Sequence, residues 1–294
     1  MRAPSERRFS RPCRKGESPF TALGLLDGAR AKPYPPTKVL LVPLPEGEQA
    51  TVLIERQPGA DWRDLQERVA VVLRECGLDS EVARTLQTVR GKVEVDVYAT
   101  DSSTTPPAIL LCECKRWSSR VPKAEVKSFR TDVADFGAHF GLFISSCGFQ
   151  SGAHDVVENT NVRLVDWQGF QDLFLERWCS RYWVPTMRKR GDRLAASVEP
   201  IDSDAGRRFA QGEGIQPAEA AGLFMLDLWG SPFLGLEAMI GLPTQPVADA
   251  IWGQLDTYQA YLPESVLAAG SLRELLDALA QYAEQWFVGR QTDG

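Results

Sequence analysis

The chain has 294 residues, enough for one large domain or two ordinary ones, and 44% of them are hydrophobic against 24% charged. This is the composition of a soluble globular protein rather than of a disordered or fibrous chain. The net charge of −6 gives no global basic field that would attract nucleic acid. No stretch approaches the roughly 18 to 20 apolar residues of a membrane span, and the Arg-rich N-terminus lacks a signal peptide's apolar segment. A cytoplasmic protein with no membrane partner is therefore expected.

Cysteine and histidine usage argues against a zinc protein. The six cysteines form no CxxC pair, and there are only two histidines, His139 and His154. Zinc sites are built mainly from these two residue types at short spacing. The cysteines are therefore expected to be reduced thiols, most of them buried.

The first part of the chain predicts an arm, two short strands and a helix. Residues 1–36 carry Arg, Ser, Pro and Gly with little periodicity, which predicts a flexible basic arm. Two short strands are expected between residues 37 and 57, around a Pro-Glu-Gly-Glu turn. The segment "DWRDLQERVAVVLRECG" then predicts a helix with Asp61 as its N-cap and Gly77 as its stop.

Alternating and apolar segments come next. "TVRGKVEVDVYAT" alternates with a period of two, which places Val93, Val95 and Val97 on one face and Asp96 on the other. "AILLCECK" predicts the next strand, and the two are expected to pair as an antiparallel hairpin. Strands and helices then alternate, which predicts a mixed sheet covered by helices. In chain order these elements are the helix "PKAEVKSFRTDVADFGA", the strand "FGLFISS", the short helix "AHDVVEN", the strand "VRLVDW" and the helix "FQDLFLERWCSRYW".

The pattern changes near residue 190. "KRGDRLAASVEPIDSDAG" is polar and is expected to be a linker, and the segments beyond it are helical throughout. The predicted organisation is a flexible arm over 1–36, an α/β domain over 37–190 and an all-α domain over 205–290. The helical domain is expected to sense, bind or oligomerise, with a second copy of the chain or a regulatory protein as its partner.

The strand "ILLCECKRW" ends in an acid and a base, although it begins as an apolar core strand. A period of two places Glu113 and Lys115 on one face, and Cys112 and Cys114 on the opposite, core-facing side. If this strand pairs with the preceding one, Asp96 converges with Glu113 at one end of the sheet. Lys115 is then expected just beyond them.

Two carboxylates beside a lysine suit metal-assisted phosphate chemistry. Mg²⁺ prefers oxygen ligands and commonly takes one or two carboxylates together with water and substrate phosphate. A lysine can orient or deprotonate the attacking water, or stabilise the charge of the transition state. Glu67, on the preceding helix, is a candidate third acid. The Glu-x-Lys triplet alone is weak evidence, because residues 125–127 repeat it on the polar side of a predicted helix.

The order of helix, strand, strand, helix and strand, with "VEVDVYA", "ILLCECKRW" and "GLFISSCGFQSGA", resembles the PD-(D/E)xK nuclease superfamily. Within it, residues 60 to 180 are most similar to the catalytic domain of Mrr-type restriction endonucleases. The resemblance implies an α/β fold with a restriction-endonuclease-like αβββαβ core, in which helices flank a mixed central sheet, followed here by the C-terminal all-α domain. Val95 stands where the superfamily has its name-giving proline.

The resemblance also assigns roles to residues. It implies that Asp96, Glu113 and Lys115 bind Mg²⁺ and drive phosphodiester hydrolysis, with Asp96 and Glu113 as the metal ligands. Mn²⁺ is the alternative metal, and Glu67 is the residue that matches the family's acid on the first helix. Five basic residues after the motif are expected to meet the DNA phosphate backbone, although they also fit an ordinary exposed helix. They are Arg116, Arg120, Lys123, Lys127 and Arg130.

Three functions remain open on the sequence. The first is a Mg²⁺-dependent DNA endonuclease, in restriction and anti-phage defence or, alternatively, in DNA repair. The second is a catalytically inactive nuclease fold that binds nucleic acid or serves in assembly, because fold alone does not establish function. The third is purely structural, with Glu113 and Lys115 forming an ion pair on a solvated strand end.

Overall fold

The structure is a computed structural model that describes residues 54–196, 204–230, 251–253 and 255–292. All of these residues belong to one compact unit, Gln49–Gly294. The expected arm over 1–36 lies outside the described residues, as do most of the two strands expected between 37 and 57. Residues 54–57, at the end of that stretch, form no strand.

A five-stranded mixed sheet forms the centre of the α/β part, with its strands in the order β1-β2-β3-β4-β5. The first three strands pair antiparallel, and β3, β4 and β5 pair parallel. This confirms the predicted mixed sheet and the predicted hairpin of the two central strands. The strands are β1 (Asp79–Thr88), β2 (Gly91–Asp101), β3 (Ala108–Lys115), β4 (Phe140–Ser145) and β5 (Val162–Val165).

Helices flank the sheet and make up the rest of the described chain. The order α1, β1, β2, β3, α2, β4 is the expected αβββαβ core, and the region that follows α4 is helical. None of the helices in the described ranges is both long and apolar enough to cross a membrane. The helices are α1 (Trp62–Glu75), α2 (Lys123–Phe136), α3 (Ala153–Val157), α4 (Trp167–Trp178), α5 (Val184–Ala196), α6 (Asp204–Ala210), α7 (Pro217–Gly230), α8 (Glu264–Leu267) and α9 (Leu272–Thr292), with a π-helical turn at Cys179–Trp183 between α4 and α5.

The start and end of α1 follow from its sequence. The Asp61 side chain accepts a hydrogen bond from the Asp64 backbone N–H at 2.9 Å, which satisfies one of the free donors of the first turn. The helix ends where Gly77 takes a positive φ of 81°, a conformation that glycine adopts without strain. The predicted cap and stop of this helix are confirmed.

Each face of the sheet has its own core. Leu65, Val69 and Leu73 of α1 pack with Cys112 of β3 on one face, together with residues of α4. On the other face, the α2 stripe of Val126, Phe129 and Val133 packs with Leu111. Fully burying one such side chain contributes about 1.5–3 kcal/mol, so these stripes fix both helix layers against the sheet.

The strand before the predicted hairpin was missed, and β2 begins later than expected. Residues 88–90 were predicted as strand, but β1 ends at Thr88, and Val89 and Arg90 form the turn that leads into β2. The side chains of β1 alternate between exposed and half-buried, with only Leu86 buried. Such an edge strand has little of the apolar alternation that identifies a strand in sequence.

The predicted common face of Val93, Val95 and Val97 is wrong. Val95 packs in the core under α2, with Val93 against the same core, whereas Val97 packs in the core under α1. The β1–β2 ladder has no pair between Ala83 and Asp96, and Ala83 has a φ of +54°. At this interruption the side chains of β2 change faces, so that Val95 and Val97 point to opposite sides of the sheet. The period of two therefore does not continue through Asp96.

The linker expected from about residue 190 is also partly wrong, because α5 is helical as far as Ala196. Gly191 lies against α7, and a Cβ atom there would lie 2.1 Å from Met225 Cε. Met225 is fully buried. The glycine therefore lets two helices approach closely, and this packing offsets the roughly 1 kcal/mol by which glycine is less favourable than alanine in a helix.

The C-terminal helix α9 is joined to the α/β part by a cluster of charged side chains, here called the Arg273 cluster (Glu55, Arg68, Glu75 and Arg273). Arg273 lies 2.6 Å from Glu55 through Nε and 2.5 Å from a Glu75 oxygen through a terminal nitrogen. Arg68 pairs with the other oxygen of Glu55 at 2.5 Å. Since Arg273 begins α9 and Glu75 ends α1, the cluster ties the two helices together.

Candidate active site

The site is built where β2 and β3 separate. Their ladder runs from Asp101 opposite Ala108 to Val97 opposite Cys112 and ends there, while β3 continues to pair with β4. Just beyond the last pair, Asp96 Oδ2 accepts a hydrogen bond from the Cys114 backbone N–H at 2.7 Å. The carboxylate thus occupies the place of a strand carbonyl, which fixes it at the fork between the strands.

The structure brings Asp96, Glu113 and Lys115 together at this fork, and the three are called the carboxylate cluster. Lys115 Nζ lies 3.9 Å from Asp96 Oδ2 and contacts Glu113 Oε1. Each of the three side chains is only 20–21% exposed. The period of two that placed Glu113 and Lys115 on one face of β3 is confirmed, and the fork adds Asp96 from β2.

The cluster holds two acids and one base, and the pKa of both acids is raised, chiefly because the two carboxyl groups are largely buried. Burial, followed by the charge of Asp96, raises the pKa of Glu113 to about 7, although Lys115 opposes the shift. Burial also raises the pKa of Asp96, against the hydrogen bond from the Cys114 N–H. For Lys115, burial alone would lower the pKa, but the hydrogen bond to Glu113 and the charges of both acids raise it overall.

Glu67 does not join this cluster. Its carboxylate lies 3.8 Å from Arg74 on the outer side of α1, with 60% of the side chain exposed. The preceding residue, Gln66, is buried, and its side chain lies close enough to Asp96 to lower the pKa of that carboxyl against the effect of burial. One residue along a helix is a rotation of about 100°, so neighbouring residues cannot face the same site. Gln66 could have been found from its spacing, since it lies three and four residues before the buried Val69 and Ala70.

The donor set of the cluster fits a hard divalent cation. No group of three His, Cys, Asp or Glu side chains suited to a metal occurs among the described residues, so the candidate ligands are Asp96 and Glu113. Two carboxylates are sufficient for Mg²⁺, which completes its shell with water and substrate phosphate. The two carboxyl groups share one lysine, and burial raises the pKa of both, so the ionised pair lacks solvation as well as a second positive partner. A divalent cation would supply that positive charge.

The neighbouring thiols belong to the core, as predicted. Cys112 and Cys114 are buried on the opposite face of β3, and burial raises the pKa of both. A thiol must lose its proton to bind a metal, so these two side chains are poor ligands.

The structure divides the five basic residues expected to meet DNA. Arg116 donates from Nε to the Ala60 carbonyl at 3.1 Å, and Arg130 donates to the Val156 carbonyl at 2.9 Å. Both are half-buried and support the local backbone. Arg120, Lys123 and Lys127 are exposed, in the loop before α2 and on its first two turns. The exposed three are therefore better placed than the other two to meet a phosphate backbone.

Comparison with known proteins agrees with the resemblance seen in the sequence. The model of a family described as restriction endonuclease, the Mrr catalytic domain, matches residues 59–174. No curated protein matches the chain. The crystal structure of a protein of unknown function, AF1548, is similar with 13% identity and a TM-score of 0.34, over 68% of this chain and 100% of that one. A likeness this distant carries no argument here. The family match spans α1 to α4 and includes the carboxylate cluster, and residues 59–174 therefore form a restriction endonuclease domain of the Mrr type, within the PD-(D/E)xK superfamily.

Proposed function

We propose that this protein is a Mg²⁺-dependent endonuclease that hydrolyses phosphodiester bonds in DNA at the carboxylate cluster. The single observation that carries the proposal is the convergence of Asp96, Glu113 and Lys115 at the β2–β3 fork, inside the matched restriction endonuclease domain. A solvated ion pair, the structural alternative, does not account for two acids that share one base and are each only 20–21% exposed.

The three side chains divide the chemistry between them. Asp96 and Glu113 would hold the metal, which when bound lowers the pKa of a coordinated water and neutralises charge on the phosphoryl oxygens; Mn²⁺ is the alternative ion. Because the pKa of Lys115 is raised, its ammonium stays protonated at neutral pH. As an ammonium Lys115 would orient the attacking water or stabilise the phosphate charge, and a cation held by Asp96 and Glu113 would reduce the charges that raise its pKa, which would allow it to take the proton of the water instead.

Gln66 takes the place that the sequence assigned to Glu67. Its buried side chain lies beside Asp96 and would hold the orientation of that carboxylate. Groups behind a ligand tune both its geometry and its affinity for metal. Gln66 is thus proposed as a positioning residue, and no role at the site is proposed for Glu67.

The substrate surface and the biological setting are part of the same proposal. The exposed Arg120, Lys123 and Lys127 would contact DNA phosphates independently of sequence. The proposed setting is restriction and anti-phage defence in the cytoplasm, with DNA repair as the alternative. The helical region over 205–290 is proposed to regulate the nuclease or to oligomerise.

A cleavage assay tests the proposal. The protein is incubated with supercoiled plasmid, linear duplex DNA, single-stranded DNA or RNA, in Mg²⁺, Mn²⁺ or EDTA. We expect DNA cleavage with either metal, no cleavage in EDTA, and a loss of at least about 100-fold in Asp96→Asn and Lys115→Met, as for removal of other groups that stabilise a transition state. Glu81→Gln is the matched control, because Glu81 is an exposed acid of the edge strand β1 that pairs with Arg84 outside the cluster. It should cleave like the wild type.

Two results would contradict the proposed site. Cleavage that persists in EDTA, or in both cluster variants, would place the chemistry elsewhere. A folded wild type that binds DNA but cleaves none of the substrates would favour the inactive binding module instead.

A further inference from the structure

An exposed indole lies beside the lysine of the carboxylate cluster. Trp117 follows β3 by two residues and is 39% exposed. Lys115 Nζ lies 5.9 Å from the centroid of the Trp117 ring. A phosphate that contacts Lys115 would therefore have its neighbouring nucleotide within reach of this ring.

The backbone that carries Trp117 is held on both sides. The Ser146 backbone N–H donates to the Lys115 carbonyl at 3.0 Å, and the Ser146 hydroxyl donates to the Trp117 carbonyl at 3.3 Å. Arg116, between them, donates to the Ala60 carbonyl at 3.1 Å. The exposed ring thus projects from an anchored backbone, which lowers the entropy lost when a ligand stacks on it.

A second exposed indole lies on the segment that Arg116 contacts. Trp62 is 49% exposed, and the Arg63 guanidinium lies 4.5 Å from the centroid of its ring. Of the tryptophans whose burial the structure describes, only Trp62 and Trp117 are exposed. The Arg116–Ala60 hydrogen bond joins the segment of Trp62 to the segment of Trp117.

We propose that Trp117 stacks on the base of an unpaired nucleotide next to the scissile phosphate, so that the site takes single-stranded DNA. In a duplex both faces of each base are covered by its neighbours, and only the sugar edge could meet an indole beside the phosphate. In single-stranded DNA the base is free to stack on an aromatic ring, an interaction that tolerates any base. The inference rests on the proposed function for the position of the phosphate.

Binding of labelled DNA tests the inference without requiring hydrolysis. Fluorescence anisotropy compares one oligonucleotide as a single strand and annealed to its complement, in Ca²⁺, with its integrity checked on a gel. We expect Trp117→Leu, which keeps apolar bulk but loses the aromatic face, to weaken single-strand binding roughly 5- to 150-fold. Duplex binding should stay unchanged, and Trp117→Phe should retain most of the single-strand affinity.

Phe140→Leu is the matched control. Phe140 is an exposed aromatic residue at the opposite end of β4, where it pairs with Leu110 rather than with the end of β3. It should bind both DNA forms like the wild type. A wild type that does not bind the single strand, an equal loss on both forms in Trp117→Leu, or an equal loss in Phe140→Leu would each overturn the inference. A Trp117 effect on binding in a protein that cleaves nothing would contradict the proposed function alone.

Discussion

Two clusters of charged, largely buried side chains differ in their balance of charge. The carboxylate cluster holds two acids and one base, and the pKa of both acids is raised. The Arg273 cluster holds Glu55 and Glu75 against Arg68 and Arg273. Burial alone would lower the pKa of Arg273, but its hydrogen bond to Glu75 and the charges of both acids raise it overall. Its charge is therefore matched within the protein.

This difference in charge balance distinguishes a cluster that connects two parts of the structure from a cluster that can bind a ligand. A balanced cluster needs nothing from outside, and it holds α9 against the end of α1. An unbalanced cluster keeps like charges together at a cost to stability, which a bound cation would relieve. Perturbed pKa values occur in both structural and functional clusters, so the shift alone does not distinguish them. The sign of the excess charge does distinguish them, because an excess of negative charge indicates that the cluster can bind a cation.

The largest effect is expected from a substitution in the unbalanced carboxylate cluster. Glu113→Gln should reduce cleavage by at least about 100-fold, because a metal ligand is lost. Its melting temperature should be equal to or above that of the wild type, because one of two like charges is removed. Mg²⁺ should raise the melting temperature of the wild type and not that of the variant. Calorimetry with and without Mg²⁺ measures both, and a clearly less stable variant would show that the two acids do not repel each other in the folded protein.

The second prediction concerns a substitution in the balanced Arg273 cluster. Arg273→Met keeps most of the aliphatic stem but removes the guanidinium, which lies 5.5 Å from the ring centroids of Trp178 and Tyr182 and pairs with Glu55 and Glu75. Breaking a buried ion pair in this way costs about 3–5 kcal/mol of unfolding free energy. Urea unfolding followed by tryptophan fluorescence measures the loss.

A matched control for Arg273 lies at the surface between α5 and α9. Arg190 pairs with Asp277 at 3.0 Å, and their side chains are 43% and 62% exposed. Exposed pairs contribute less than about 1 kcal/mol, so Arg190→Met should barely change the unfolding free energy. Equal losses in the two variants would contradict a special role for the Arg273 cluster.

The third prediction asks which residue of α1 supports the unbalanced cluster. Gln66→Leu should lower cleavage or metal affinity about 10- to 100-fold, the usual effect of losing a group behind a metal ligand. Glu67→Gln should have no effect on either. A metal titration of the cleavage rate separates the two quantities, and Gln66→Glu should recover part of the loss at high metal concentration. If Glu67→Gln were the impaired variant instead, Glu67 would be the functional acid of α1, as the sequence predicted.

The smallest expected effect concerns a further balanced pair. Asp101, at the end of β2, pairs with Arg177 of α4, and the hydrogen bond from Arg177 holds its pKa below the ordinary value of 3.8. The folded state therefore binds fewer protons than the unfolded state in acid, so this stabilisation is present above that value and is lost as the pH falls below it. Asp101→Asn should cost about 1–3 kcal/mol at neutral pH.

The pH dependence is the sharper test of this pair. The stability difference between wild type and Asp101→Asn should shrink as the pH falls through the acidic range, as measured by urea unfolding at each pH. Glu81→Gln, which removes an exposed pair with Arg84, should show a small difference at every pH. A difference for Asp101→Asn that stays constant in acid would mean that its ion pair is not the cause.

The elements that could be predicted are those with a local signal. The α1 helix has its cap, its apolar stripe and its glycine stop within one segment of sequence. The prediction that Glu113 and Lys115 lie on one face of β3 needed only the period of two of a single strand. The pairing of β2 with β3 then brought Asp96 to the same point, which needed only the hairpin register.

The predictions that failed depend on tertiary structure. The reversal of β2 after Val95 depends on the positive φ of Ala83 in the neighbouring strand. The helix at Gly191 forms because Met225, more than 30 residues away, packs against it. Glu67 was assigned as the match to the family's acid on the first helix, whereas the rotation of α1 about its axis brings Gln66 rather than Glu67 to Asp96.

The contacts of α9 have a consequence for how this protein can be divided or recombined. The family match ends at residue 174, but Trp183, beyond it, is buried and donates its indole N–H to the Leu272 carbonyl at 2.9 Å. A chain cut before α9 would lose this acceptor and Arg273 together. Lost activity in such a truncation would report unfolding rather than regulation. An exchange of helical regions between related nucleases would have to preserve the arginine that meets Glu55 and Glu75.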